Sequence, residues 1–221
     1  MSTPRSADPP PAQMPDWLPG LAQRAHAEPM LPGLPEASGR QSAVLMLFGP
    51  REGGGQDLVL TERAATLRKH AGQVSFPGGG VDPTDADAAA TALREAHEEI
   101  GLDAGGVEVV GDLPVLPLSV TGFRVTPIAA WWAVPGPIGV VDTAEVARVA
   151  RVPVADLVDP ANRFTTVHPS RSFDAPGFDV DGFYIWGFTA ILLDATLRLA
   201  GLERPWDRAD RRPVPLRYFS S

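Results

Sequence analysis

The segment from Asp85 to Ile100, closed by Gly101, constrains this chain more than any other. It is rich in alanine, has acidic residues near its start and ends on a glycine, which together predict a single helix. At 100° per residue, Ala89, Leu93, Ala96 and Ile100 fall between about 100° and 160° from Glu95, forming an apolar stripe that must face a core. Glu98 and Glu99 fall near about 300° and 40°, so with Glu95 they share a different face. Arg94 lies beside Glu98, and His97 points away. Three like charges this close repel by a few tenths of a kcal/mol per exposed pair. Either they form a solvated acidic face, or they receive a cation.

The rest of the chain supplies what the stripe packs on. S-A-V-L-M-L-F-G (42–49) reads as a buried strand, Gly53–Gly55 as a turn and 57–63 as the paired strand. A long loop follows before the helix, and loops of that length inside a domain tend to be functional. V-E-V-V-G-D-L-P-V-L and F-R-V-T-P-I-A-A-W-W-A-V read as strands, 143–159 as one or two short helices, and R-F-T-T-V-H and G-F-Y-I-W as short strands around a polar loop. F-T-A-I-L-L-D-A-T-L-R-L-A-G-L reads as a closing helix. Strands on both sides of a central helix, with a second helix late, predict an α/β (α+β) domain layered as α/β/α. Residues 1–35 are expected to be a Pro-rich, partly disordered extension, with a short helix packing through Trp17, Leu18 and Leu21; 36–203 form the domain and 204–221 a surface tail. Trp131 and Trp132 are adjacent in a strand and face opposite ways, one toward the core and the other suited to an interface, which would fit a homodimer. Trp186 is expected in buried packing and Phe76 as a core anchor.

The formal net charge of −8 argues against nucleic acid as partner. It is compatible with a small anionic substrate, because a bound metal inverts the local sign. The absence of cysteine removes disulfides, thiolate metal sites and cysteine nucleophiles, and suits the cytoplasm. The N-terminus has no apolar h-region, and no apolar run approaches the roughly 18 residues of a membrane helix, so neither a signal peptide nor a membrane partner is expected.

The Gly-rich stretch F-P-G-G-G leads into the acidic helix. Glycines let backbone approach a ligand closely. Hard oxygen ligands at i, i+3 and i+4 suit Mg²⁺ or Mn²⁺, which take carboxylates, waters and substrate phosphates together. A divalent cation would also relieve the mutual repulsion of the carboxylates.

Gly80, then Arg94-Glu95-Ala96-His97-Glu98-Glu99-Ile100-Gly101-Leu102, resembles the Nudix box: a glycine, a glutamate six later, then R-E-U-x-E-E-x-G-U with U aliphatic. The one departure is Ala86, where the pattern has Glu; Asp82, Asp85 and Asp87 lie nearby. The resemblance implies an α/β/α sandwich with a mixed sheet and Mg²⁺- or Mn²⁺-dependent hydrolysis of a nucleoside diphosphate linked to another moiety. It implies Glu95 and Glu99 as principal metal ligands, Glu98 as a further ligand or one acting through water, and Arg94 orienting a carboxylate. Catalytic roles fall on Glu98, Glu99 and Arg94.

Upstream, L-T-E-R-A-A-T-L-R-K-H-A-G-Q-V-S-F-P-G-G (60–79) resembles the signature of the coenzyme A pyrophosphatase branch: L-T-x-R-[SA], R, G and F-P-G-G at three-residue intervals. That branch also shifts or lacks the early glutamate, and I-W-G-F-T-A (185–190) resembles a third landmark of it. The likeness spans about residues 40–200. The implied substrate is coenzyme A, cleaved to 4′-phosphopantetheine and adenosine 3′,5′-bisphosphate. Its phosphates need cations, and Arg63 and Arg68 suit bidentate contacts, with His70 and Lys69 weaker candidates and Gly78 and Gly79 shaping the turn. The alternatives are that one arginine pairs with the acidic helix while Lys69 is merely exposed, and that the substrate is ADP-ribose, a dinucleotide or an altered nucleotide. A catalytically silent nucleotide-binding module is disfavoured by the intact carboxylates. His168 reads as an ordinary surface residue of its loop.

Overall fold

A computed structural model describes residues 12–28, 30–31, 39–118, 122–169 and 174–219; the expected disorder before residue 12 lies outside these. A short helix, α1 (Leu21–Ala27), precedes strands β1 (Arg40–Pro50), β2 (Gln56–Arg63), β3 (Val74–Ser75) and β4 (Gly78–Gly80). Helix α2 (Ala88–Ile100) is followed by β5 (Val107–Asp112), β6 (Leu116–Leu118), β7 (Phe123–Trp132) and β8 (Val146–Pro153). Then come α3 (Val154–Leu157), β9 (Arg163–Val167), β10 (Ala175–Val180), β11 (Phe183–Ile185), α4 (Gly187–Leu199) and β12 (Arg211–Pro213).

The main sheet runs β3-β2-β1-β7-β5, with β4 also on β1, β6 on β7 and β8 on β2. It is mixed: β1 pairs parallel to β7 and antiparallel to β2. Strand β1 reads as a continuous apolar run because both its faces are covered. Ala43, Leu45 and Leu47 face α2 through Ala92, Ala96 and Ile100. Met46 and Phe48 face the opposite core, where Leu18, Leu21 of α1, and Leu192, Leu193 and Leu197 of α4 pack. Trp131 and Trp132 do face opposite ways, but each is 1% exposed, one in each core. The expectation of an interface tryptophan is corrected by that double coverage. Phe76 is buried at 3% exposure and anchors its loop.

Helix α2 begins later than expected. Asp87 caps it, accepting from the Ala90 N–H, and Gly101 closes it at φ 71°, the left-handed cap that glycine adopts cheaply. The expected helices over 143–159 are corrected: 146–153 is strand β8 along the whole of β2, and only Val154–Leu157 is helical. Val146, Val149 and Val152 are spaced like a helical stripe, yet Val152 and Val149 serve opposite cores, the alternation of a strand. The polar loop after β9 contains a strand, β10, which buries Phe178 and Val180 and exposes Asp179. Gly177 is required there, since a Cβ would meet the Phe164 ring at 2.5 Å.

The chain ends fold onto this body. Trp17 meets Phe48 edge-on at 5.0 Å. The Trp131 indole donates to the Ala12 carbonyl at 2.9 Å, and Arg24 Nε to that of Leu199 at 2.8 Å. Residues 211–213 add in parallel to β9, and Arg163 lies buried between the Phe178 and Trp206 rings, ion-paired with Asp194.

Candidate active site

Arg94, on the first half of α2, ties the site together. Its Nε and Nη2 donate to the two oxygens of Asp85 at 2.9 and 3.0 Å, and Nη2 also reaches the Gly80 carbonyl at 3.0 Å. Its Nη1 donates to Glu95 Oε1 at 3.0 Å and to Glu98 Oε2 at 3.2 Å. A planar fork with charge-assisted bonds on several sides fixes geometry as well as charge. Asp85 also accepts from the Asp82 N–H and the Thr91 hydroxyl, each at 2.8 Å. The Arg94 guanidinium, helped by those donors, holds the Asp85 carboxyl well below the usual carboxylate range.

The three helix carboxylates do not share one environment, which corrects the expectation of a single acidic face set apart from packing. Glu99 is 5% exposed, because β4 lies against that side of the helix, and its Oε2 accepts from the Gly78 N–H at 3.1 Å. Burial pushes its pKa up to about 7; the Gly78 bond and the Arg63 charge oppose the rise, and Glu95 and Glu145 add to it. Glu95 is raised too, first by burial, with Arg94 opposing. Glu98 projects outward, its side chain 56% exposed.

Two glycines let the backbone come this close. Gly78 has φ 152°, and a Cβ there would stand 2.3 Å from the Ala43 carbonyl oxygen. On Gly79 a Cβ would stand 2.4 Å from Glu95 Oε2. Gly79→Ala is therefore expected to displace the Glu95 carboxylate and lower kcat by about tenfold or more, since small misplacements of a reacting group are costly. The far-UV spectrum should keep its wild-type shape; unchanged kcat would show that Glu95's position is not needed.

Of the other anticipated residues, Arg63 is brought to this cluster. Its charge acts on Glu99, and its Nε is buried with no hydrogen-bond partner among the described residues. Arg68 and Lys69 are exposed at the outer part of the same loop, without an ion-pair partner among the described residues. His70 holds φ 59° and its Nδ1 lies 3.0 Å from Gln73 Oε1, so it shapes the turn. The loop is closed by Arg63 N–H to the Gln73 carbonyl at 2.9 Å and Gly72 N–H to the Arg63 carbonyl at 3.1 Å.

Two acidic residues were not singled out from the sequence. Asp85 stands one residue before Ala86, where the pattern has Glu, and is the clamp for Arg94; the cluster of three nearby aspartates was its only signal. Glu145 reaches the site by a loop whose Val141 N–H donates to the Glu99 carbonyl at 3.0 Å. No spacing rule connects it to α2.

The family model described as the NUDIX domain matches residues 39–173. The chain belongs to the Nudix family. It is 42% identical over 159 residues to a protein named "Uncharacterized Nudix hydrolase NudL" from Enterobacter sp. (strain 638), covering 68% of this chain and 78% of that one. It is 41% identical over 173 residues to the NudL of Cronobacter sakazakii (strain ATCC BAA-894), covering 75% and 85%. Among solved structures, the Nudix hydrolase RenU from M. smegmatis superposes with a TM-score of 0.52 at 19% identity, covering 78% of this chain and 91% of that chain, which supports the fold. The protein is thus a Nudix pyrophosphohydrolase with the layered mixed-sheet fold, acting on small nucleoside diphosphate derivatives. Among its described residues no helix is long and apolar enough to cross a membrane.

Nudix enzymes generally use a divalent metal such as Mg²⁺ or Mn²⁺. Among the described residues no three His, Cys, Asp or Glu side chains converge as a ready cage. The donor chemistry nevertheless fits these ions, which are held by one or two carboxylates with waters and substrate phosphates. Glu95 and Glu99, one turn apart, are both raised in pKa first by burial and then by neighbouring carboxylates, Glu98 and Glu145 acting on Glu95 and Glu95 and Glu145 acting on Glu99, so they are carboxylates lacking enough positive charge.

Proposed function

We propose that this Nudix hydrolase cleaves the diphosphate of coenzyme A or its derivatives, giving 4′-phosphopantetheine and adenosine 3′,5′-bisphosphate, and that it acts in the cytoplasm. The observation that carries the reading is the loop of residues 60–79. Its arginines follow the pattern of the coenzyme A branch, and Arg63 faces the Glu95–Glu99 cluster with its Nε unpaired. In this reading Glu95 and Glu99 hold Mg²⁺ or Mn²⁺, with Glu98 a further ligand or one acting through water. The metal neutralises phosphate charge and acidifies water. Arg94 orients Glu95 and Glu98. Arg63 contributes its guanidinium to a diphosphate oxygen, and exposed Arg68, with Lys69 and His70 nearby, meets the more distant 3′-phosphate. Gly79 keeps a side chain off the Glu95 carboxylate, and Gly78 lets the loop lie against β1. Glu98 and Glu145, the exposed carboxylates, are the groups able to take a proton from water.

Product analysis by mass spectrometry tests the substrate. With Mg²⁺ or Mn²⁺, coenzyme A should give the two products above, and Glu99→Gln should not. Cleavage of only ADP-ribose or NADH would discard the coenzyme A reading and keep the Nudix chemistry. Arg68→Ala should raise KM for coenzyme A about tenfold, the scale of one charge-assisted phosphate contact. It should leave KM for the analogue lacking the 3′-phosphate nearly unchanged; equal effects would remove Arg68 from the 3′-phosphate.

A further inference from the structure

With three of its four rings beyond residue 173, where the family model stops, an aromatic cluster stands beside the arginine loop. The Trp186 ring lies 5.6 Å from Tyr218 and 5.9 Å from Phe219, and the His168 ring lies 4.9 Å from Phe219. These are not core rings. His168, Trp186 and Tyr218 are half-buried, and Phe219 is 36% exposed; among the described residues its ring partners stand at steep angles, 87° and 63°, and none stacks parallel on it. The residues arrive from three places: the end of β9, the start of α4 and the turn after β12. The tail is held there by Val214, 3% exposed, and by the Tyr184 hydroxyl donating to the Pro213 carbonyl at 3.1 Å.

The cluster adjoins the catalytic cluster through the loop. Tyr218 Cε1 stands 3.8 Å from where a Cβ on Gly72 would be, and the Gly72 N–H is bonded to Arg63, whose charge acts on Glu99. Arg217 lies over the Tyr218 ring at 4.9 Å and acts electrostatically on Glu62, the neighbour of Arg63. Half-exposed rings next to cations, one loop away from a diphosphate site, match the chemistry of a nucleotide: a flat base beside its phosphates.

We propose that Phe219, with Trp186, Tyr218 and His168, forms the subsite that stacks the aromatic base of the nucleotide substrate, so that the C-terminal tail is part of the binding site. The proposal rests on the nucleoside diphosphate reading but not on coenzyme A itself.

Calorimetric titration of the full-length protein with ADP and, separately, with inorganic pyrophosphate, each with Mn²⁺, tests it without turnover. Phe219→Ala should weaken ADP about tenfold, the scale of one ring lost from a base stack, and leave pyrophosphate within about twofold. Phe219→Tyr should restore ADP affinity. Phe219 closes the described chain on the surface, and a melting curve checks that Phe219→Ala stays folded; Tyr218→Ala gives a second ring removal should it not. Undiminished ADP affinity, no ADP binding by the wild type, or equal losses for both ligands would overturn the proposal and leave the rings as an anchor for the tail. Failure to cleave coenzyme A with a base-dependent loss intact would instead discard only the coenzyme A reading.

Discussion

Glu99→Gln should remove most turnover yet stabilise the metal-free protein above neutral pH. The activity loss should be about 10²–10³ in kcat, as for other groups that stabilise developing charge. The stability gain follows from burial. The Glu99 carboxyl titrates near 7 in the folded chain against an ordinary value of 4.5. Below pH 4.5 it is protonated in both states and costs nothing. Between 4.5 and 7 the unfolded chain releases its proton first, so stability falls as pH rises; above 7 the cost is constant. At about 1.4 kcal/mol per unit, that plateau is on the order of 3 kcal/mol. Glutamine avoids it and still offers an oxygen to the Gly78 N–H. Melting curves of both proteins in chelator should therefore converge at pH 4 and separate by pH 8, with the variant higher. Added Mg²⁺ or Mn²⁺ should raise the midpoint of the wild type alone, because only a ligand that binds the native state stabilises it. Retained turnover would sink the metal assignment, and parallel curves would sink the buried-charge argument.

Arg94→Lys should be nearly as damaging to turnover as loss of a ligand, about 10²-fold, despite conserving charge. A lysine cannot bond both Asp85 oxygens while also reaching Glu95, Glu98 and the Gly80 carbonyl, because its donors lie on one nitrogen. Asp85, whose side chain is 5% exposed, would lose the partner that keeps it ionised, and its pKa should rise toward the ordinary range. Since a depressed carboxyl pKa stabilises the fold above the ordinary value and loses that contribution in acid, the wild type's advantage over Arg94→Lys should shrink as pH falls below about 4. Asp85→Asn should reproduce part of the defect, and the double variant should be no worse than Arg94→Lys alone. Additive losses would mean that the two residues do not act as a unit.

Much of this was legible locally. The helix, its apolar stripe, its glycine stop and the order Arg94, Glu95, Glu98, Glu99 follow from 3.6-residue periodicity, which operates within one element. The continuous apolar run of β1 already implied a sheet covered on both faces. The loop of residues 60–79 could be matched to a pattern because its residues lie within twenty positions of one another. What the sequence could not determine were relations between elements distant in the chain. Val146, Val149 and Val152 have helical spacing, and only pairing with β2 makes them a strand. Glu98 and Glu99 are neighbours of the same type, and only the contact of β4 with α2 buries Glu99 and leaves Glu98 in water. Asp85 took the place of the missing glutamate because the turn before α2 brings it under Arg94. Glu145, Tyr218 and Phe219 carry no local pattern at all, and the local pattern around Trp186 says nothing of its ring partners. Glu145 is brought by the loop before β8, Trp186 by the start of α4, and Tyr218 and Phe219 by the turn after β12, so tertiary packing alone decides where they stand.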